Sequence, residues 1–150
     1  MTTAFVTAGA GFLLAVLWFD LMFDVQALRR GEGEVSGQAL DSIAGYYGRV
    51  TGSARHMNKL IAVVMLGTLT AVVVQLARGE VPTWVSVASL SLALAGIGLA
   101  AALTVPNATR LGERRHPPEV QRRLARSILR DHLLSLAAIA SVLVLQLGFA

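Results

Sequence analysis

Hydrophobic residues fall into four long runs separated by polar segments. The runs cover about residues 4–27, 54–77, 83–104 and 127–149. Each is close to the roughly 20 apolar residues that a helix needs to cross the hydrocarbon core of a bilayer. The pattern therefore predicts an all-α integral membrane protein, a bundle of four transmembrane helices that forms a single domain over residues 1–150.

The connection between spans one and two has a helical pattern of its own. Its apolar positions, Leu40, Ile43, Ala44, Tyr47 and Val50, recur every three or four residues. This spacing predicts a short amphipathic surface helix, lying at the membrane boundary or against the bundle. The alternative is a loose loop in which the spacing has no structural meaning.

Prolines mark two expected helix ends. Val105-Pro106 follows the third apolar run, so we expect span three to stop there. Pro118 suits the first position of a helix, and one long helix is expected to begin there and to become span four near Ser127.

Span three carries small residues along one face: Ser86, Ser89, Ala93, Gly96 and Ala100. Small side chains let two helix backbones approach closely, which is how helices associate in lipid. We interpret this face as a helix-packing surface without further function.

Composition agrees with a membrane environment and excludes several kinds of chemistry. The chain is 55% hydrophobic and has a mean hydropathy of +0.63, which is too apolar for a water-soluble domain. It contains no cysteine, so disulfides, thiolate metal sites, iron–sulfur clusters and cysteine nucleophiles are excluded.

The basic residues are confined to one side of the predicted bundle. Of thirteen Lys and Arg, twelve lie in the two long connections and the adjoining helix ends, and Arg78 lies on the other side. Next to apolar runs, the net charge of +4 indicates attraction to anionic lipid headgroups rather than to nucleic acid. By the positive-inside rule both termini face outward and both long loops face the cytoplasm, with a bacterial inner membrane as the expected location.

Polar residues within or beside the spans are the candidates for a site, because charge in a membrane is costly and needs a reason. Chain direction brings the end of span one, the start of span two, the end of span three and the start of span four to similar depth. The candidate ligand-binding residues at this level are Asp20, Asp24, Tyr46, Tyr47, His56, Asn58, Asn107, Arg130, Asp131 and His132.

Three other interpretations of these residues stay open. Asp20 and Asp24 can simply form a buried ion network with Arg55, Lys59, Arg110 or Arg130. His56 and His132 can ligate a haem iron axially, although no haem attachment motif is present. Asp20, Asp24, His56 and His132 also provide candidate ligands for a divalent metal, without a recognisable spacing. The cofactor is therefore unknown.

Four short motifs suggest a family. Ile43-Ala44-Gly45-Tyr46-Tyr47, Met57-Asn58-Lys59-Leu60, Val105-Pro106-Asn107-Ala108 and Arg130-Asp131-His132-Leu133 resemble a loose group of small four-span membrane proteins, including the anthrone-oxygenase-like family. The resemblance implies a compact bundle with a pocket open to the membrane boundary and, in some relatives, oxidation of a polycyclic aromatic substrate. The stretch Trp18 to Asp24 matches no pattern of that chemistry, so no catalytic role is carried over.

The functional expectation is a polar pocket near the cytoplasmic boundary that binds a lipophilic small molecule, with redox chemistry as one use of it. The alternatives are a non-catalytic subunit or assembly factor of a membrane complex, and a haem- or metal-binding membrane protein. No Ser-centred elbow, phosphate loop or HExxH run supports a hydrolase or a nucleotide-binding protein. Whether the chain is an enzyme, and whether it forms a homo-oligomer or joins a larger complex, is left open by the sequence.

Overall fold

A computed structural model describes residues 1–28, 35–53 and 55–150, and every regular element in these ranges is helical. The elements are α1 Thr2–Asp24, a 3₁₀ turn at Val25–Ala27, α2 Gly37–Thr51, α3 Arg55–Arg78, α4 Thr83–Leu99, α5 Val105–Glu113 and α6 Pro118–Phe149. Four stretches are long and apolar enough to cross a membrane: Thr2–Ala27, His56–Arg78, Thr83–Glu113 and Pro118–Phe149. Ala54, where span two was expected to begin, and Arg29 and Arg30 of the basic set lie outside the described residues.

The four long helices form an antiparallel bundle. α1 packs against α3 and α6, and α4 packs against the same two, so α3 lies diagonally across from α6. At one end the Thr2 hydroxyl donates a hydrogen bond to Glu80, and the rings of Trp84 and Phe149 meet edge to face with centroids 5.3 Å apart. We call this the terminal end. The opposite end, which holds α2 and α5, is called the loop end.

The outside of the bundle is apolar. Within an apolar 18-residue segment of each stretch, only 17% to 28% of the residues are buried within the chain. Large side chains such as Trp18, Phe19, Leu66, Val144 and Leu147 are at least 63% exposed. Four helices with this outer surface are compatible with an integral membrane protein, because lipid would cover what water disfavours.

The small residues of α4 pack as the sequence predicted. Ser86, Ser89, Ala93 and Gly96 are all buried. A Cβ atom on Gly96 would lie 3.4 Å from the Ile139 side chain of α6, and the Gly96 carbonyl accepts a 3.2 Å hydrogen bond from Ser135. The small residues therefore bring α4 close to α6.

The predicted stop of span three at Val105-Pro106 is wrong. A π-helical segment, Ala100–Thr104, connects α4 to α5, and the helical path continues to Glu113. Proline inside a helix removes one N–H donor and crowds the turn before it. The wider π turn provides room for Pro106, so the chain continues where an α-helix would be expected to end. The long helix expected from Pro118 is confirmed.

The short helix between spans one and two is also present. The Ser36 side chain caps α2 by accepting a 3.1 Å hydrogen bond from the Ala39 N–H. Of the predicted stripe, four residues are buried and Val50 is half-buried. α2 lies mainly on α5, where the backbones meet at two glycines: a Cβ atom on Gly112 would lie 2.7 Å from the Gly48 nitrogen.

Candidate functional site

Asp24 is buried because it continues the core stripe of α1. The buried positions of this helix recur every three or four residues, ending with Leu13, Leu17, Leu21 and Asp24. Asp24 has no exposed surface, and Asp20, one turn earlier on the edge of the same face, has a side chain that is 16% exposed. The helix thus projects one carboxylate into the bundle and holds a second at its margin.

His132 occupies the matching position on α6. It lies on that helix's buried stripe with Ile128, Ser135 and Ile139, and α6 packs directly against α1. Its Nδ1 atom is 2.6 Å from Oδ2 of Asp24. Its Nε2 atom is 3.7 Å from Oδ2 of Asp20, which is too long for a hydrogen bond. The imidazole therefore lies between the two carboxylates and is bonded to one of them.

Two tyrosines of α2 complete the cluster. The Tyr46 hydroxyl donates a 2.6 Å hydrogen bond to Asp20, and the Tyr47 hydroxyl donates a 2.7 Å bond to Asp24. Burial, and then the neighbouring carboxylates, raise the pKa of both tyrosines, so both remain neutral donors. The Phe23 ring stacks on Tyr46 with centroids 4.0 Å apart and planes 8° from parallel.

We call Asp20, Asp24, Tyr46, Tyr47 and His132 the acid–histidine cluster. Even with a protonated imidazole, two ionised carboxylates leave the cluster with one net negative charge. The alternative pairing with lysine or arginine is not seen in the described residues: the ionic partner of both acids there is His132. The side chain of Arg55 lies outside the described part of the chain. A low-dielectric setting disfavours uncompensated charge, so the cluster favours an added proton or a donor ligand.

Asp131 forms a separate, adjacent group. Its carboxylate is fully buried and accepts hydrogen bonds of 3.0 and 2.8 Å from the Nε and Nη2 atoms of Arg130, whose side chain is exposed. The Ser127 hydroxyl donates a longer bond of 3.3 Å to the other carboxylate oxygen. These contacts satisfy Asp131 without the acid–histidine cluster.

The remaining predicted site residues do not converge on the cluster. Asn58 donates a 2.8 Å hydrogen bond to the Val50 carbonyl and so connects α3 to α2. Asn107 is half-buried. His56, predicted as a ligand-binding residue at this depth, does not join the cluster: its side chain is exposed at the start of α3, which lies diagonally across from α6.

This placement also bears on the metal and haem interpretations. Within residues 1–28, 35–53 and 55–150, no three His, Asp or Glu side chains form a group that could hold a metal ion. With His56 directed outward, His132 is left without the second histidine that the haem interpretation requires. The geometry of the described residues thus gives neither interpretation a ligand set.

A second polar layer, which was not predicted from the sequence, lies near the terminal end. Gln75 of α3 and Gln146 of α6 are fully buried and exchange two hydrogen bonds of 3.0 and 3.1 Å across the diagonal of the bundle. Gln75 also donates to Thr3, and Gln146 donates to Ser89. An isolated glutamine in each of two apolar runs was the available signal.

Two surface pockets lie at the loop end, and neither contains a residue of the acid–histidine cluster. One is lined by Val25, Gln26, Leu28, Ser36, Gln38, Ala39 and Ser42. The other is lined by Glu119, Arg122, Arg123 and Arg126.

Comparisons with protein-family models, with curated proteins and with solved structures found no match. The resemblance to the anthrone-oxygenase-like family stays a prediction from the four short motifs.

Proposed function

We propose that this chain is an integral membrane protein whose acid–histidine cluster binds a lipophilic molecule through a hydroxyl head group. One observation carries the proposal. Oδ2 of Asp20 and Nε2 of His132 are 3.7 Å apart, and neither has a hydrogen bond within the described part of the chain. A single oxygen can lie about 2.8 Å from both atoms, so one ligand hydroxyl can bridge them.

The charge of the cluster favours a ligand that donates. A hydroxyl bound at this position would donate to the Asp20 carboxylate, which is an acceptor, and would lie beside the imidazole. Its proton could pass to either group. Oxidation of a phenolic ligand would also need a separate electron acceptor, so these residues supply binding and the proton step only.

The surroundings of Asp20 favour a ligand that arrives from lipid. Asp20 lies at the margin of the cluster, and Phe19, the residue before it, is 63% exposed. Phe23 lies one helical turn after Phe19 and stacks on Tyr46, which donates to Asp20, so the two phenylalanines form an aromatic surface beside the carboxylate. Such a surface suits the ring system of an aromatic alcohol.

The proposed setting is a bacterial inner membrane with both termini outside and the loop end in the cytoplasm. The twelve-to-one distribution of Lys and Arg supports this orientation. The acid–histidine cluster would then lie just inside the cytoplasmic boundary.

A pair of probes that differ only in the donor tests the proposal. Purified protein in detergent should retain 1-naphthol more strongly than 1-methoxynaphthalene, as measured by native mass spectrometry and absorbance. Asp20→Asn and His132→Ala should each lower naphthol retention to the level of the ether, whereas Glu113→Gln, an exposed acid on α5, should not. Equal retention of the two probes by the unaltered protein would overturn the proposal.

A second candidate is a non-catalytic subunit whose cluster fixes helix packing. It is favoured by the absence of cluster residues from both pockets and by the paired state of Asp24. In that case both substitutions would lower the unfolding temperature and leave probe retention unchanged.

A further inference from the structure

The first turns of α6 form a basic pocket that the proposed function does not use. Glu119, Arg122, Arg123 and Arg126 line a cavity of about 240 Å³. Their spacing of three and four residues places them on one side of the helix. The Arg122 side chain is held in place by its Nε atom, which donates a 3.3 Å hydrogen bond to the Val35 carbonyl.

Arg123 and Arg126 are the available cations of this pocket. Both side chains are exposed, and neither has a hydrogen bond or an ion pair within the described residues. These two guanidinium groups outnumber the one carboxylate of the lining, Glu119, so the pocket is basic. Guanidinium groups bind phosphate oxygens in a planar, two-bond arrangement, which a lysine cluster cannot reproduce.

The length of α6 sets the depth of the pocket, provided that the chain spans the membrane as proposed. A hydrocarbon core of about 30 Å accommodates about 20 helical residues. Counted from Phe149, this core ends near Arg130. Arg126 and Arg123 then lie about 6 and 10 Å beyond the core. The headgroup region is about 5 to 7 Å thick on each side, so Arg126 lies at phosphate level. Arg123 lies about 3 to 5 Å farther out, a gap that a long arginine side chain can span.

We propose that this pocket binds the phosphate of an anionic phospholipid headgroup in the leaflet at the loop end. Arg126 and Arg123 contact the phosphate oxygens, while Arg122, tied to Val35, positions the pocket beside α2. Glu119 lies one turn farther from the membrane, so the two available guanidinium groups are those nearest the lipid.

The test compares two double variants with the same loss of charge. The full-length protein is placed in nanodiscs of phosphatidylcholine with a minor fraction of phosphatidylglycerol, and lipid retained after release is counted by native mass spectrometry. Arg123→Gln/Arg126→Gln should lower phosphatidylglycerol retention by about fivefold for each arginine removed. Arg49→Gln/Arg115→Gln, which removes two exposed arginines elsewhere at the loop end, should change it less than twofold. Arg126→Lys, which keeps the charge and the fold, should give an intermediate loss.

Three results would overturn this site. Equal losses in the two double variants would mean that total charge alone attracts the lipid. Full retention by Arg126→Lys would mean the same, because lysine keeps the charge without the guanidinium geometry. Displacement of the lipid by inorganic phosphate would assign the pocket to the free ion. Naphthol retention should be unchanged in all these variants, so failure here is separate from failure of the hydroxyl-binding proposal.

Discussion

The Nδ1 atom of His132 and the Oδ2 atom of Asp24 lie 2.6 Å apart, although the residues are 108 positions apart in the chain. At this distance a proton must lie between the two atoms, because two lone pairs would repel each other. The contact joins the first long helix to the last one in a buried setting. It therefore combines a role in packing with the capacity to hold a proton.

A double-mutant cycle should detect this contact. We expect Asp24→Ala and His132→Ala to be coupled by at least about 1 kcal/mol in the free energy of unfolding, because each single change leaves a buried polar partner. The measurement is denaturant unfolding in detergent micelles. Asp24→Ala combined with Gln146→Ala, at the opposite end of the bundle, should be additive within about 0.5 kcal/mol. Equal coupling in the two cycles would contradict the assignment.

The two tyrosines of the chain should resist ionisation while it is folded. The pKa of Tyr46 and of Tyr47 is raised by burial and by the nearby carboxylates. Their stabilising contribution is complete below about pH 10 and is lost as the pH rises through the folded-state values. Because Tyr46 and Tyr47 are the only tyrosines, tyrosinate absorbance reports on them alone. It should be absent at about pH 11 and appear near pH 10 after unfolding. Ionisation near pH 10 with intact helicity would contradict this prediction.

The contact between α2 and α5 should depend on Gly112. A methyl group there would meet the backbone of Gly48 and Tyr47 at 2.7 to 2.9 Å, so Gly112→Ala must displace α2. We expect faster hydrogen exchange across residues 37–51 and a fall in the pKa of both tyrosines. Gly98→Ala is the matched control, since nothing lies within 4 Å of its added carbon. If hydrogen exchange across residues 37–51 were unchanged in Gly112→Ala, the stability of α2 would not depend on its close contact with α5.

The glutamine pair should behave as a unit. Gln75→Leu leaves the Gln146 amide with a single partner in an apolar setting, at a cost of about 1 kcal/mol in the unfolding free energy. Gln75→Leu/Gln146→Leu should cost less than the sum of the single changes, because it removes both buried polar groups. Gln38→Leu, on the exposed face of α2, is expected to have little effect. Simple additivity would mean that the two amides do not depend on each other.

Cysteine labelling should locate the two ends of the bundle. The chain has no cysteine of its own, so His116→Cys and Ala150→Cys each introduce one exposed thiol. In intact inverted and right-side-out vesicles, a membrane-impermeant reagent should reach residue 150 from outside and residue 116 from the cytoplasmic side. The reverse pattern would overturn the orientation, and labelling of both from one side would show that α6 does not cross the membrane.

The helices could be predicted from the sequence because their signal is local. An apolar run of membrane length and a stripe such as Leu40, Ile43, Ala44 and Tyr47 each define a helix without knowledge of its neighbours. The end of span three could not be predicted, since Pro106 interrupts an α-helix but is tolerated after a π turn. The π turn and α5 both pack against α6, a contact that the sequence does not display.

The site could be predicted only in part, for the same reason. Chain direction placed Asp20, Asp24 and His132 at one depth, and the structure brings these three together with both tyrosines. Depth does not determine rotation about a helix axis, so His56 could be placed at the correct level while its facing direction remained unknown. Gln75 and Gln146 required knowledge of which helices lie on the same diagonal.

The π-helical segment also changes the direction in which the residues after it face. An α-helix advances about 100° per residue, so one extra residue in a turn rotates everything after it by about that angle. The helical path is continuous, but its two α-helical parts pack differently. α4 packs on α6 along the bundle, whereas α5 packs mainly on α2 at its end. Removal of one residue from Ala100–Thr104 would restore a uniform helix and turn Gly112 away from Gly48. A single insertion or deletion here would thus rotate α5 about its axis, displace α2, and so decide whether the tyrosines reach the carboxylates.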